Sequence, residues 1–147
     1  MSASKIIIHT DIFVDYLLHS GGADPVLRVA MMKFFCYTTV FNAMELFSLA
    51  RLPRERAAIE GALSGMKILG LNAKSAKTFG GWMSQGPKMQ RMNSLVAGVC
   101  LESKLPILTM QPNDFRGVKG LMIIPALAVR KDRSAAEILG SRIRSVK

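Results

Sequence analysis

Five short runs of β-branched and aliphatic residues, at 5–9, 37–40, 67–69, 107–109 and 121–124, punctuate this chain, and helical periodicity fills most of the intervals between them. This alternation constrains the fold more than any other feature. Parallel neighbours in a sheet need a crossover of a dozen or more residues, usually a helix, so strand–helix alternation implies an α/β sandwich around a mainly parallel sheet of about five strands. With 147 residues, half of them hydrophobic, the chain can bury one sizeable core, and a second domain is not expected.

After the first run, Ile12, Phe13, Tyr16 and Leu17 recur with helical spacing; Thr10 or Asp11 is available as N-cap and Gly21-Gly22 end the helix. Asp24-Pro25 starts another helix bearing Val26, Leu27, Val29, Ala30, Met31 and Phe34. A helix is expected from Asn42 or Ala43 to Arg51, and after Pro53 a further one with Ala57, Ala58, Ile59, Ala62 and Leu63. Residues 72–90 read as a short helix and then a mobile loop through Gly80-Gly81 and Ser84-Gln85-Gly86-Pro87. Met92, Leu95, Val96, Val99 and Cys100 form the stripe of a helix packed on the core.

The longest run free of charge, 34–44, is far short of the roughly 18 apolar residues a membrane span requires, and the N-terminus lacks a cleavage pattern. The expectation is a soluble, cytoplasmic protein without membrane contact. Cys36 and Cys100 sit in apolar surroundings without metal-ligand spacing, which reads as two buried small hydrophobes. A formal charge of +10 favours a polyanion such as RNA, or an acidic protein, as partner; solubility is the bland alternative.

Sites in parallel α/β sheets form at the carboxyl ends of strands, which directs attention to 9–11, 42–45 and 111–114. Here the chain resembles the PIN-domain family, specifically the VapC-like ribonuclease toxins of toxin–antitoxin pairs. IIIHTDIFVDYL is similar to the family's first strand-to-helix motif: Thr10, Asp11 and Asp15 fit the frame, and the family's catalytic Asp falls on His9. TTVFNAMELFSLA resembles the helix with the family's Glu-Leu, placing the Glu on Glu45. RMNSLVAGVCLESKLPILT resembles the helix that begins with a catalytic Asp, here Asn93, and TMQPNDF places Gln111 at the variable fourth position beside Asp114-Phe115. The resemblance covers roughly residues 5 to 124 in order. It implies a PIN-like α/β/α sandwich over 1–124, a homodimer and an antitoxin-like protein partner; the basic C-terminal extension over 125–147 lies beyond the usual end of the family and is not explained by the resemblance.

The chemistry implied by the resemblance is metal-dependent endoribonuclease cleavage, in which Mg²⁺ or Mn²⁺ activates water and neutralises charge on phosphate. Mg²⁺ is hard and strongly hydrated, and carboxylates are the ligands that compete for it. His9, Asn93 and Gln111 replace such groups with neutral ones, leaving Glu45 of the four positions. Hydrolysis is therefore expected to be weak or lost, with partner and RNA binding retained. The alternative is an active enzyme using Glu45, Asp11 and Asp114 as catalytic residues, with Glu45 on the metal. Asp11 has a competing reading as N-cap and Asp114 as a turn residue; His9 with Glu45 and Asn93 is a third possibility, suited to Zn²⁺ or Mn²⁺. A His9–Glu45 hydrogen bond is expected if no metal is held.

Lys74, Lys77, Lys88 and Arg91 flank a segment carrying Phe79 and Trp82, a combination suited to single-stranded RNA through phosphate attraction and base stacking. A core Trp with solvated lysines is the competing reading. The tail, basic through Arg130, Lys131, Arg133, Arg142, Arg144 and Lys147, reads as a polyanion-binding arm, a docking segment or a frayed end.

Overall fold

Ile6, Ile7 and Ile8 are wholly buried, yet they alternate between two separate cores: Ile6 and Ile8 join one hydrophobic cluster and Ile7 the other. A strand buried on both faces must lie in the middle of a layered structure. The computed structural model, which describes residues 4–85 and 91–144, shows that arrangement. Strand β1 (Lys5–Ile8) leads into α1 (Thr10–Leu17) and α2 (Val26–Lys33); β2 (Phe35–Thr39) leads into α3 (Val40–Leu49) and α4 (Pro53–Leu63). Then come β3 (Lys67–Leu69), α5 (Ser75–Gln85), α6 (Arg91–Ser103), β4 (Ile107–Thr109), β5 (Met122–Pro125), α7 (Ala135–Gly140) and β6 (Ile143–Arg144).

Among the described residues the strands form one six-stranded sheet in the order β3-β2-β1-β4-β5-β6. The first five are parallel, and β6 runs antiparallel to β5 with Met122 opposite Arg144. On one face Phe13, Leu27, Ala30, Leu46 and Ile59 bring α1 to α4 onto Ile6 and Ile8. On the other, Phe79, Val96, Cys100, Phe115 and Val118 cover Ile7, Ile107 and Ile123. Full burial of each large side chain contributes roughly 1.5–3 kcal/mol. This is the expected PIN-like α/β/α sandwich, with one strand more than expected.

The sixth strand comes from the segment 125–147. Pro125 ends β5, Ile138 of α7 is fully buried in the first core, and Ala128 and Val129 join it. Lys33 donates to the carbonyls of Lys131 (2.8 Å) and Arg133, and Lys131 pairs with Asp24. The described part of this segment is therefore packed onto the sandwich, not frayed.

Three further boundaries differ from expectation. The second strand starts earlier and ends at Thr39, because α3 begins at Val40 with a reciprocal cap between Thr39 and Asn42. The first helix is N-capped by His9, not by Thr10 or Asp11, and without a side-chain cap bond. The expected loop at Gly80-Gly81 is helix: α5 continues to Gln85 because Phe79 is buried against α6, where a Cβ on Gly98 would come within 2.0 Å of the Phe79 ring. The remainder of that expected loop, Gly86-Pro87, lies outside the described residues. Cys36 and Cys100 are both free and buried, as expected. Burial pushes the Cys36 thiol up to about 12 and raises that of Cys100 as well, so neither is a nucleophile.

Candidate functional site

The parallel neighbours β2, β1 and β4 end on the same side of the molecule, and most of the expected polar residues follow those ends. His9 follows β1, Asn42 and Glu45 lie on the first turns of α3 after β2, and Gln111 and Asp114 follow β4. The negative charges of Asp11, Glu45 and Asp114 each favour the protonated form of His9. Asn93, on the first turn of α6, is buried; Gln111 and Asp114 are exposed.

The hydrogen bonds fix the detail. Asn42 is fully buried, and its side-chain oxygen accepts from the Thr39 amide (3.3 Å) and hydroxyl (2.7 Å). Its amide nitrogen therefore faces the other way, 3.0 Å from His9 Nδ1, and donates to Thr10 Oγ1 at 2.9 Å. Thr10 in turn donates to Glu45 Oε1 at 2.6 Å. The His9 ring stands edge-to-face on Phe115, with centroids 4.9 Å apart and planes at 87°. Burial holds the His9 pKa below its ordinary value, opposed by the attraction of Asp11, Glu45 and Asp114 for the protonated ring.

This geometry corrects the expected His9–Glu45 hydrogen bond. His9 is bonded through Asn42, and Glu45 through Thr10. Glu45 is half-buried, as its apolar neighbours suggested, and a partner compensates its charge. Asp11 is not the N-cap: its Oδ2 accepts from the Thr109 hydroxyl (2.7 Å) and the Met110 amide (3.0 Å), tying α1 to the end of β4. Its Oδ1 is buried without a partner. Asp15 accepts from the Val26 amide at 3.4 Å and so anchors the start of α2. Among the described residues, no three His, Cys, Asp or Glu side chains are grouped so as to hold a metal ion.

The residues that sequence reasoning missed are the neutral ones, Thr39, Thr109 and above all Asn42. A strand-ending Thr followed three residues later by Asn is the available signal, since that spacing suits a reciprocal helix cap. In the other expected cluster, Lys74, Lys77 and Arg91 are exposed, whereas Phe79 is buried and offers no surface for stacking. The Trp82 side chain and Lys88 lie outside what the structure describes. No helix of the described residues is long and apolar enough to cross a membrane.

No protein-family model matches the chain, and no curated protein matches it. Solved structures do. The chain is similar to a chain of VapBC2 from Rickettsia felis bound to a DNA fragment from its promoter, with a TM-score of 0.66 at 15% identity over 81% of this chain and 96% of that one. It is similar to VapBC-1 from nontypeable Haemophilus influenzae, with a TM-score of 0.66 at 16% identity over 84% and 98%. It is also similar to VapBC-5 of Mycobacterium tuberculosis, a member of the VapBC family of toxin–antitoxin systems, with a TM-score of 0.56 at 19% identity over 83% and 98%. At these identities the likeness speaks for the fold, and that fold is the PIN-like one of VapC chains.

Proposed function

We propose that this chain is a VapC-like protein in which metal-dependent RNA hydrolysis is weak or lost while binding of an antitoxin-like protein, and of RNA, is retained. The observation that carries the reading is the closed chain of hydrogen bonds from Thr39 through Asn42 to His9 and, through Thr10, to Glu45. It occupies one oxygen of the acid that the resemblance retains. Mg²⁺ needs several charged oxygens to displace its water. Here Asp11 Oδ2 and Glu45 Oε1 are engaged by protein donors, and His9, Asn93 and Gln111 bring no charge when the imidazole is neutral. The donor set does not suit that ion.

Partner binding is supported by a second feature. Leu17, Leu18, Leu46, Leu49, Ala50 and Ile59 line an apolar groove across α1, α3 and α4, in which Leu18 is 77% and Leu49 is 60% exposed. Glu55 also lines it, and the exposed Arg51, Arg54 and Arg56 that neighbour Glu55 in sequence leave this turn net positive. Apolar anchors rimmed by cations suit an apolar segment with acidic flanks, the chemistry proposed here for the antitoxin-like partner. A homodimer and a cytoplasmic location complete the proposal.

One observation favours the second reading, an active Mg²⁺- or Mn²⁺-dependent endoribonuclease using Glu45, Asp11 and Asp114: Asp11 Oδ1 is buried without a hydrogen-bond partner. The two readings separate when structured RNAs are incubated with the purified protein over a titration of Mg²⁺ and Mn²⁺, beside a Glu45→Gln control. No cleavage is expected in either protein. Metal-dependent cleavage that disappears in the control would establish the active reading and overturn the first.

A further inference from the structure

A histidine in place of a carboxylate does not by itself bar a metal, because neutral imidazole is a common ligand for Zn²⁺ and Mn²⁺. Ligation needs a ring nitrogen with a free lone pair, and the other nitrogen then carries the hydrogen. In metal sites that hydrogen is almost always donated to a carboxylate, a carbonyl or water. The surroundings of His9 offer the reverse arrangement.

The Thr39 main-chain amide can only donate, so the Asn42 atom facing it at 3.3 Å must be the oxygen. The Thr39 hydroxyl donates to the same oxygen. The Asn42 nitrogen is thus turned toward His9 and Thr10, and its two hydrogens meet two acceptors, His9 Nδ1 and Thr10 Oγ1. A hydrogen on His9 Nδ1 would confront one of them. We infer that Asn42 is a positioning residue that locks neutral His9 as its Nε2–H tautomer, so that Nε2 carries the hydrogen, Nδ1 is engaged by Asn42, and neither ring nitrogen keeps a free lone pair for a metal. Rotating the Asn42 amide would not release the lock, since its nitrogen would then face the Thr39 amide.

This deepens the reading above and rests on it for the placement of His9 where the resemblance implies a metal-binding carboxylate. It gives the loss of metal chemistry two separate causes, because transition metals are refused through Asn42 as Mg²⁺ is through the missing charge. Replacing Asn42 by Asp reverses the polarity. The carboxylate keeps an oxygen for Thr39 and sets a second oxygen against Nδ1, which favours the Nδ1–H tautomer and frees Nε2.

The test is nitrogen NMR of the two imidazole nitrogens in the full chain, well above the imidazole titration range. His19, exposed beyond the end of α1, is replaced by Gln so that one ring remains. In the otherwise unchanged protein, His9 is expected to show a protonated Nε2 and a bare Nδ1, with no change on adding Zn²⁺. In Asn42→Asp the proton is expected on Nδ1, and Zn²⁺ is expected to shift the Nε2 resonance. A proton on Nδ1 in unmodified His9, a Zn²⁺-induced shift of its Nε2, or an Nε2–H form persisting in folded Asn42→Asp would each overturn the inference. Should the variant fail to fold, the unmodified protein still decides. The outcomes are separable from those for the proposed function. Metal-dependent RNA cleavage with the Nε2–H form intact sinks that reading and leaves the lock standing; an Nδ1–H form without cleavage does the opposite.

Discussion

Asn42 uses every polar group of its side chain inside the protein, with two donors received and two hydrogens given. Truncation to Ala leaves buried His9 and Thr39 groups without partners, and each such group costs about 1–3 kcal/mol. Asn42→Ala is therefore expected to lose about 2–4 kcal/mol of stability, read as a lower urea midpoint at unchanged slope. His9 carries a second expectation. Its pKa is lowered by burial in the folded state, so the unfolded chain takes up the proton first as pH falls. Stability is then lost progressively below the ordinary imidazole value near 6.5, down to the lower folded value. Urea midpoints measured across that window should fall more steeply for the unmodified protein than for His9→Gln. Equal slopes would show that His9 does not contribute. At this scale the sequence brought out the strand ends that carry His9, Glu45 and Asp114 but not the bonds between side chains there. Strand ends and the spacing of Glu45 are visible in a string of letters, whereas the direction of an amide is set by Thr39 and His9 together in three dimensions.

Among the elements, the α5–α6 contact depends most on a single small residue. Gly98 lets the Phe79 ring sit where a side chain would stand, and both lie in the second core. Gly98→Ala forces the ring or the helix to move and is expected to cost about 1–3 kcal/mol. Gly98→Ala with Phe79→Leu should recover part of the loss, a non-additivity that a double-mutant cycle of unfolding energies measures. The same contact explains why Gly80-Gly81 misled the sequence reading. Two glycines are poor helix formers by local propensity, but docking of the preceding Phe79 on α6 holds the turn that contains them. The first five strands were legible because each is a local apolar run. Ile143–Arg144 was not, since two residues carry no period and only pairing with β5 makes them a strand.

At the level of the whole molecule, the basic tail is structural over its described length. Ile138 is fully buried among residues of β1, α1 and α2, so Ile138→Ala is expected to destabilise the entire fold by about 2–5 kcal/mol, seen as one cooperative transition at lower denaturant. Independent melting of the tail would instead make it an appendage. The +10 charge remains a property of the surface at large, with cations on the groove rim, beside α5 and along the tail. By pairing with β5, β6 also changes what the sheet can do next. Among the described residues β5 is occupied on both sides, and at the opposite end β3 pairs only with β2, over three residues. Among the described residues the sheet therefore ends on two short edge strands, β6 with two residues and β3 with three, and at β3 Ile68 is 44% exposed beside Lys67. Neither flank offers a long template, so the sheet is guarded against strangers at both ends by the brevity of its own outermost strands.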